Sequence, residues 1–316
     1  MMNKIYISLE TDPYFNIAAE YQMFLEADEG ISFFLWQNQS AVICGRNQNL
    51  YAECNMEYLE NNHILPVRRF SGGGTVFQDM GNVNFTFIAK EKNVNIKKYM
   101  NVIKRALSFF DISCEFSGRN DLLYNGKKFS GHAYYVDKGN HMYHGTIMVN
   151  VDMNVVSKVL NPSFIKLKSK GIDSVRSRVI NLSEVNKDIT VESMIDALSR
   201  AFIDVYGNSE PIKYIDRNSI KVPLFEKINK NEWIFGQSPN YSISFERKLL
   251  CGNVTIYVDV KEGIINSINI NTDSLTVFDF SKCEKSLIGT LFNENYVFDY
   301  IEKYTQANMK KAGYNK

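Results

Sequence analysis

Short strand-like runs joined by turns, rather than by helices, most constrain the fold of this chain. Runs of β-branched and aromatic residues occupy 31–37 and 41–45, joined at 38–40, and similar runs follow further along. Because a parallel crossover needs about a dozen residues or more, connections this short predict hairpins and antiparallel pairs. The other predicted strands are 83–87, 121–124, 127–135, 142–149, 241–245, 254–260 and 264–270, the last two joined by a turn at Glu262-Gly263.

Helices are predicted between these runs. Asp12 and Pro13 suit the cap and first turn of one helix, and Thr190 and Gly207 suit the two ends of another at 191–206. Helices and strands mix without the strict alternation of a doubly wound sheet, which favours an α+β fold with a mixed or largely antiparallel sheet. Further helices are predicted at 53–61, 95–110 and 292–306.

Domain organisation follows from a polar segment at 208–232, which contains Pro211 and Pro223 and is interpreted as the approach to a second domain. The predicted domains are 1–240, the larger, and 241–316, the smaller.

Composition excludes several classes of protein. The 36 basic and 35 acidic residues give a net charge of +1, so no broad basic field exists for nucleic acid. No apolar run is long enough for a membrane span or a signal peptide. Five cysteines without a CxxC pair do not resemble a disulfide framework. These features predict a cytoplasmic protein with no nucleic-acid or membrane partner.

The strongest local signal is RRFSGGGTVF at 68–77. Three successive glycines let the backbone approach a ligand, and exposed N–H groups there form a nest for an anion, with arginines beside it. The loop suits a nucleotide phosphate or a carboxylate. The alternative is a glycine-rich surface turn, and the motif matches neither the Walker loop nor GxGxxG.

A second signal is GRND at 118–121 followed by GKKFSGHA at 126–133. Asp121 is a suitable Mg²⁺ ligand, since that ion takes one or two carboxylates plus phosphate oxygens. Lys128 on a strand is predicted to point into a pocket, where an ammonium can neutralise a carboxylate and a phosphate. Lys127 would then point the other way. For any single lysine the ordinary alternative is a solvated surface position.

Two weaker signals follow. The basic stretch 166–179 contains a glycine hinge and suits a mobile loop over a phosphoester, although the pattern alone favours a solvated basic loop. His144 lies on a predicted strand, where a buried, hydrogen-bonded histidine is the default interpretation.

Taken together and in this order, the segments resemble the lipoate–protein ligase A family. The resemblance implies the biotin/lipoate-ligase fold, a mixed sheet with flanking helices, for residues 1 to about 240, and the family's small α+β accessory domain after it. The matching segments are DPYFNIAAE, RRFSGGGTVFQDMGNVNFTF, GRNDLLYNGKKFSGHAYY, HGTIMVN, KGIDSVRSRVINL and NEWIFGQSP.

The resemblance also implies a two-step reaction. Lipoate and Mg²⁺·ATP give lipoyl-AMP and pyrophosphate, and an acceptor lysine then attacks the mixed anhydride. The implied acceptors are lipoyl domains of 2-oxoacid dehydrogenase E2 subunits and the glycine-cleavage H protein.

By motif position, Lys128 is the implied catalytic residue and contacts both substrates. Asp121 is the implied Mg²⁺ ligand, with Asn120 nearby. The other implied ATP contacts are Arg69, Gly74, Thr75, Val76, Phe77, Arg176 and Ser177. The other implied lipoate contacts are Arg69, Ser71, Gly73, His144 and, near the pocket rim, Glu20. His132 occupies a position where relatives carry a small residue, which predicts an altered pocket edge.

Two other functions remain open from the sequence. Octanoyl- and lipoyl-transferases of the same fold use a cysteine, for which Cys114 is the nearest candidate here. A non-catalytic lipoate-binding protein is the second alternative. Lipoate and octanoate are both compatible with the pocket, because they differ by only about 1–3 kcal/mol in such a site.

Overall fold

The computed structural model describes residues 2–117, 120–160, 178–207, 209–236, 243–261 and 264–311. Within these ranges the chain forms one eight-stranded sheet, two three-stranded sheets and flanking helices, so the predicted α+β class is confirmed. The strands are β1 (Lys4–Ser8), β2 (Ser32–Trp36), β3 (Ala41–Cys44), β4 (Leu65–Arg68), β5 (Val76–Gln78), β6 (Asn82–Lys90), β7 (Glu115–Ser117), β8 (Asp121–Tyr124), β9 (Lys127–Asp137), β10 (Asn140–Met148), β11 (Lys213–Ile215), β12 (Ile243–Leu249), β13 (Gly252–Lys261) and β14 (Ile264–Thr272).

The large sheet is mixed, as predicted. Its order is β11-β1-β2-β6-β10-β9-β8-β7, with β11, β1 and β2 parallel and the other pairs antiparallel. The predicted hairpin of β9 and β10 is present, with Tyr134 opposite Tyr143. The polar segment 208–232 is not merely an approach to a second domain, because it contributes β11 to the edge of this sheet.

Helices pack on both faces of the large sheet. On one face Phe202, in helix α7 (Val191–Tyr206), stacks on Phe33 at 5.0 Å between ring centroids, and Phe33 stacks on Phe87 at 4.5 Å. These contacts hold α7 against the sheet. On the other face lies α1. The helices are α1 (Pro13–Leu25), α2 (Leu50–Glu53), α3 (Met56–Asn61), α4 (Ile96–Ser108), α5 (Met153–Val159), α6 (Leu182–Val185), α7 (Val191–Tyr206), α8 (Phe225–Ile228), α9 (Asn231–Phe235), α10 (Ser281–Leu287) and α11 (Glu294–Lys311).

The predicted helix ends are confirmed. The Asp12 carboxylate accepts a hydrogen bond from the N–H of Tyr14 at 2.8 Å, and α1 begins with Pro13. The Thr190 hydroxyl accepts from the N–H of Ser193, and α7 ends at Gly207, whose φ of 76° suits glycine.

In the predicted pattern only three residues, 38–40, separate the strands that correspond to β2 and β3. The two strands nevertheless belong to different sheets. Strand β3 pairs with β4 in parallel and with β5 antiparallel, forming a second sheet. The connection changes direction because the buried Asn38 side chain is held by Asn16 on α1 and by Gln78 on β5. Polar contacts between distant segments, which no local pattern contains, therefore divide the two sheets.

The C-terminal unit is a meander of β12, β13 and β14 covered by α10 and α11. It has its own apolar core, which includes Ile256, Ile270 and Phe298. The predicted hairpin of β13 and β14 is confirmed, while its turn at 262–263 and the predicted domain boundary at 240/241 lie outside the described residues. Among the described helices, none combines the length and apolar character needed to cross a bilayer.

Replacing Thr190 by Ala should lower the free energy of unfolding by about 1 kcal/mol, because α7 loses the hydroxyl that caps its first turn. Urea unfolding followed by tryptophan fluorescence measures this, since both tryptophans, Trp36 and Trp233, lie before the C-terminal unit. Replacement by Ser keeps the hydroxyl and should restore most of the loss. An equal loss in the Ser variant would contradict the capping role.

Candidate active site

A cavity of about 580 Å³ lies between the large sheet, the glycine loop (residues 69–75) and the C-terminal unit. Lys128 and the glycine loop both line it, so the two strongest sequence signals converge on one site. The predicted site residues that line it are Glu20, Arg69, Gly73, Gly74, Thr75, Val76, Asn120, Asp121, Lys128 and His144.

The sheet presents alternate residues to this cavity. On β6, Asn84 lines the cavity, while Phe85 and Phe87 face the core on the other side. On β9, Gly131 and Ala133 line it and leave room above the sheet. The alternation of asparagine or threonine with apolar residues in NVNFTF is a sequence signal for this wall, although it was not used to predict site residues.

Lys128 is held at the start of β9 by two backbone hydrogen bonds to the segment 178–180. Its N–H donates to the carbonyl of Arg178 at 2.8 Å, and its carbonyl accepts from the N–H of Ile180 at 2.9 Å. Its ammonium lies 2.7 Å from the Asp121 carboxylate. A Cβ added at Gly131 would come within 2.9 Å of Nζ, so this glycine provides the space that the ammonium occupies.

Asp121 fits a Mg²⁺ ion that is also bound to phosphate. Its Oδ1 is buried and forms no hydrogen bond with a described residue apart from the ion pair with Lys128. No group of three or more His, Cys, Asp or Glu side chains suited to a metal occurs among the described residues. A Mg²⁺ ion held here would therefore take one carboxylate and complete its shell with phosphate oxygens and water.

The Arg69 side chain forms four hydrogen bonds within the protein, three of them to the glycine loop. Its Nε donates to the Ser71 hydroxyl at 3.0 Å, and its Nη1 to the carbonyl of Ile43 at 2.9 Å. Its Nη2 donates to the carbonyls of Gly72 and Gly74, at 2.6 and 2.9 Å. These four contacts use most of the five N–H donors of the guanidinium, and the predicted contacts of Arg69 with ATP and lipoate stay a prediction.

The glycine loop contacts the C-terminal unit. Gly73 has a φ of 92°, a region that favours glycine, and its N–H donates to the carbonyl of Ser274 at 2.6 Å. A Cβ at Gly72 would lie 2.3 Å from the same carbonyl oxygen. One donor of the predicted anion nest is thus occupied by the protein itself.

A chain of buried hydrogen bonds closes the inner end of the cavity. The Ser71 hydroxyl lies 2.7 Å from Nε2 of His144, whose Nδ1 lies 2.7 Å from the Glu20 carboxylate. The Thr86 hydroxyl donates to the same carboxylate oxygen at 2.6 Å, and the Trp36 indole donates to Thr86. With the tautomer of His144 assigned so that Nδ1 carries the hydrogen, each of these contacts pairs one donor with one acceptor.

This series of hydrogen bonds corrects the position predicted for Glu20. Its side chain is only 1% exposed at the inner end, not at the rim, because α1 packs it against β6 and β10. Ser71, His144 and Glu20 are connected in the order of a catalytic triad. However, Ser71 is fully buried and its hydroxyl also accepts from Arg69, so it fixes the loop instead of presenting a nucleophile.

His132 is among the residues that line the cavity, but its ring points into the core, and its effect on the pocket edge stays a prediction. The ring hydrogen-bonds to the hydroxyls of Ser130 and Tyr143, and it packs edge-on against Phe85, in the core on the opposite face of the sheet. Burial lowers its pKa to about 3, so the ring is neutral in the folded protein.

The Phe77 side chain also lies outside the cavity. On β5, Val76 and Gln78 line the cavity, and Phe77 between them packs into the core around Val42 and Leu50 because strand side chains alternate. The side chain therefore faces away from the cavity, and the predicted nucleotide contact at Phe77 stays a prediction that its backbone would have to make. The predicted residues Arg176 and Ser177, with the rest of 161–177, lie outside the described residues.

No cysteine is among the described residues that line the cavity. Burial raises the pKa of the Cys114 thiol, which opposes formation of the thiolate that a cysteine-dependent transferase needs. Cys44 on β3 is the cysteine beside the glycine loop, and it is fully buried with a raised pKa.

Comparison with known proteins decides the family. The model of the lipoyl protein ligase A/B catalytic domain matches residues 12–203, and that of the bacterial lipoate protein ligase C-terminus matches 238–313. The lipoate-protein ligase A of Blochmanniella floridana is 36% identical over 96% of this chain and 93% of its own length. The chain belongs to the lipoate–protein ligase A family. It is therefore an enzyme of the ligase class.

Other relatives agree with this assignment. The ligase is 33% identical to the lipoate-protein ligase A of Psychrobacter cryohalolentis over 99% of this chain and 95% of the relative. A crystal structure of P. falciparum LipL1 in complex with lipoate superposes with a TM-score of 0.73, at 28% identity, covering 96% of this chain and 99% of that one. A lipoate-protein ligase A bound with ATP, 21% identical, shares the fold with a TM-score of 0.65 over 75% of this chain and 99% of that one.

Stability should fall on acidification, in part because of His132. The unfolded chain takes up a proton below a pKa of about 6.5, and the folded protein does so only near 3. Between these values the free energy of unfolding should fall by about 1.4 kcal/mol per pH unit from this group. His132→Gln should make the fall between pH 6.5 and 4.5 shallower in urea titrations.

The exposed His63 supplies the control substitution, His63→Gln. If the His132 variant kept the full pH dependence of the unmodified ligase, a buried neutral ring would not be its source.

Proposed function

We propose that the ligase activates lipoate with Mg²⁺·ATP in the cavity of Lys128 and transfers the lipoyl group to a lysine of an acceptor protein. The observation that carries this proposal is the convergence of the Lys128 ammonium, the Asp121 carboxylate and the glycine loop on one cavity. The family assignment supports the reaction class, and the lining of the cavity supports the choice of residues.

In the activation step, a lipoate carboxylate oxygen attacks the α-phosphorus of ATP, and the bond from that phosphorus to the pyrophosphate oxygen breaks. Both reactants are anionic, so a fixed cation between them lowers their repulsion. It also stabilises the negative charge on the oxygens of the reacting phosphate. Lys128 is the residue proposed for this role. Its present partner, Asp121, would hold Mg²⁺, and that ion would supply charge neutralisation on the phosphates.

The inner end of the cavity suits the lipoate tail. The apolar residues that line the cavity include Ile17, Ile43, Trp36 and Ala133, and they are proposed to contact this tail. The carboxylate would then lie toward Lys128. In this orientation His144, Glu20 and Ser71 close the end near the dithiolane ring, and the glycine loop lies near the adenylate through Gly74 and Thr75.

In the transfer step, the acceptor lysine amine attacks the carbonyl carbon of lipoyl-AMP, and AMP leaves with the electron pair of the broken C–O bond. The proposed acceptors are E2 lipoyl domains and the glycine-cleavage H protein. An archaeal structure that shares this fold, at 22% identity, is described as a bipartite lipoate protein ligase and its E2 lipoyl domain, which supports the first of these. All five cysteines are free, which supports a reducing compartment with ATP, the cytoplasm.

Lys128→Ala should lower the rate of lipoyl-AMP formation by about 100-fold or more, because the positive charge between the two anions is lost. Purified enzyme with ATP, Mg²⁺, lipoate and an apo lipoyl domain, followed by mass spectrometry, measures both the adenylate and the modified acceptor. Lys127→Ala is the matched control, since the neighbouring side chain is exposed.

Full activity of the Lys128 variant, or no adenylate from the unmodified enzyme, would overturn the proposal. Circular dichroism must show that the variant is folded, and the partly exposed position of Lys128 favours that outcome.

Cys114→Ser should leave the rate of lipoyl transfer unchanged within about twofold, because no thioester forms in an ATP-dependent mechanism. The same mass spectrometry assay measures it, with octanoyl carrier protein as the donor in a parallel reaction. Loss of transfer in the Ser variant, or transfer from the carrier protein without ATP, would favour the transferase instead.

A further inference from the structure

The C-terminal unit supplies one wall of the cavity. Its residues there include one basic side chain, Lys248, at the end of β12. The next residue, Leu249, is buried in the core of the C-terminal unit. Because neighbouring side chains on a strand point to opposite faces, Lys248 points away from that core and toward the cavity.

Hydrogen bonds within the C-terminal unit, and one from the glycine loop, connect this wall to the loop. Lys248 pairs with Asn253 on β13, and both the N–H and the side-chain amide of Asn253 donate to Asp273, at 2.8 and 3.0 Å. One residue further, the Ser274 carbonyl accepts from Gly73 of the loop. The position of Lys248 is therefore tied through β13 to the loop proposed to bind the nucleotide.

The cavity lacks a free cation on its other described walls. Arg69 is used within the loop, and Lys128 is paired with Asp121. Of the three basic side chains among the described lining residues, Lys248 is the one that forms no ion pair and no side-chain hydrogen bond in that part of the chain. Asp273, the nearby acid, is already engaged by Asn253.

We propose that Lys248 binds the β- and γ-phosphates of ATP and the departing pyrophosphate. The proposal rests on the proposed function and adds a residue from the second domain to its first step. When the bond between the α-phosphorus and the bridging oxygen breaks, the electron pair goes to that oxygen, and an ammonium facing it neutralises the charge. Lys128 belongs to the large sheet and Lys248 to the C-terminal unit, so in this proposal one serves the carboxylate and α-phosphate and the other the leaving group.

This division of roles separates the two half-reactions. Pyrophosphate is present only in activation, so Lys248→Ala should lower kcat/KM for ATP in lipoate-dependent ATP–pyrophosphate exchange by about 10- to 100-fold. Transfer from chemically synthesised lipoyl-AMP to an apo lipoyl domain should change by less than about twofold. Lys248→Arg keeps the charge and should retain most of the exchange activity.

Binding of inorganic pyrophosphate with Mg²⁺, measured by isothermal titration calorimetry, gives a readout that does not need turnover. It should weaken about 10-fold or more in the Ala variant. Lys285→Ala, an exposed lysine of α10 that does not line the cavity, is the matched control and should behave as the unmodified enzyme.

Three outcomes overturn this role of Lys248: unchanged exchange, unchanged pyrophosphate binding, or an equal loss in both half-reactions. The last would mean that the substitution disturbs the contact between the domains. Failure of the unmodified enzyme to form lipoyl-AMP is a different result, because it rejects the proposed function, while the calorimetric comparison still tests the phosphate site.

Discussion

The hydrogen bonds from Arg69 to the glycine loop are the interaction on which the rest of the site depends. The guanidinium binds carbonyls before and after the turn and thereby fixes the path of three residues that have no side chains to pack. Through Ser71 the same group orients His144 at the inner end of the cavity. Through Gly73 it positions the loop against the C-terminal unit. A single buried cation thus relates the acid-binding end, the nucleotide loop and the second domain.

Local patterns in the sequence predicted the elements well, because their causes are local. The caps at Asp12 and Thr190 and the hairpin of β9 and β10 each depend on residues a few positions apart. The convergence of Lys128 with the glycine loop was also predictable, since both motifs carry chemistry that needs the other. The division of β2 and β3 between sheets was not, because it depends on Asn38 meeting a side chain 40 positions away.

Which site residues contact a ligand is harder to predict from the sequence, again for a physical reason. A motif identifies which residues are near a ligand, but not whether a side chain points toward it. The Phe77 side chain points into the core because side chains alternate along a strand. The Arg69 guanidinium donates hydrogen bonds to carbonyls of β3 and of its own loop. The sequence analysis did not single out Lys248, because a lysine in a strand-like run has no local feature that places it on a cavity shared with a loop about 175 positions earlier in the chain.

The closed inner end of the cavity has a consequence for which acids can enter. Each donor of the chain from Ser71 to Trp36 is already satisfied by a neighbour, and the chain ends on the acidic Glu20. A fatty acid whose far end carries a carbonyl or a second carboxylate would give up its water there, and this series of hydrogen bonds offers it no unused N–H or O–H. Tails that end in carbon or sulfur lose nothing of that kind, so in the proposed orientation this end favours acids whose remote end is apolar.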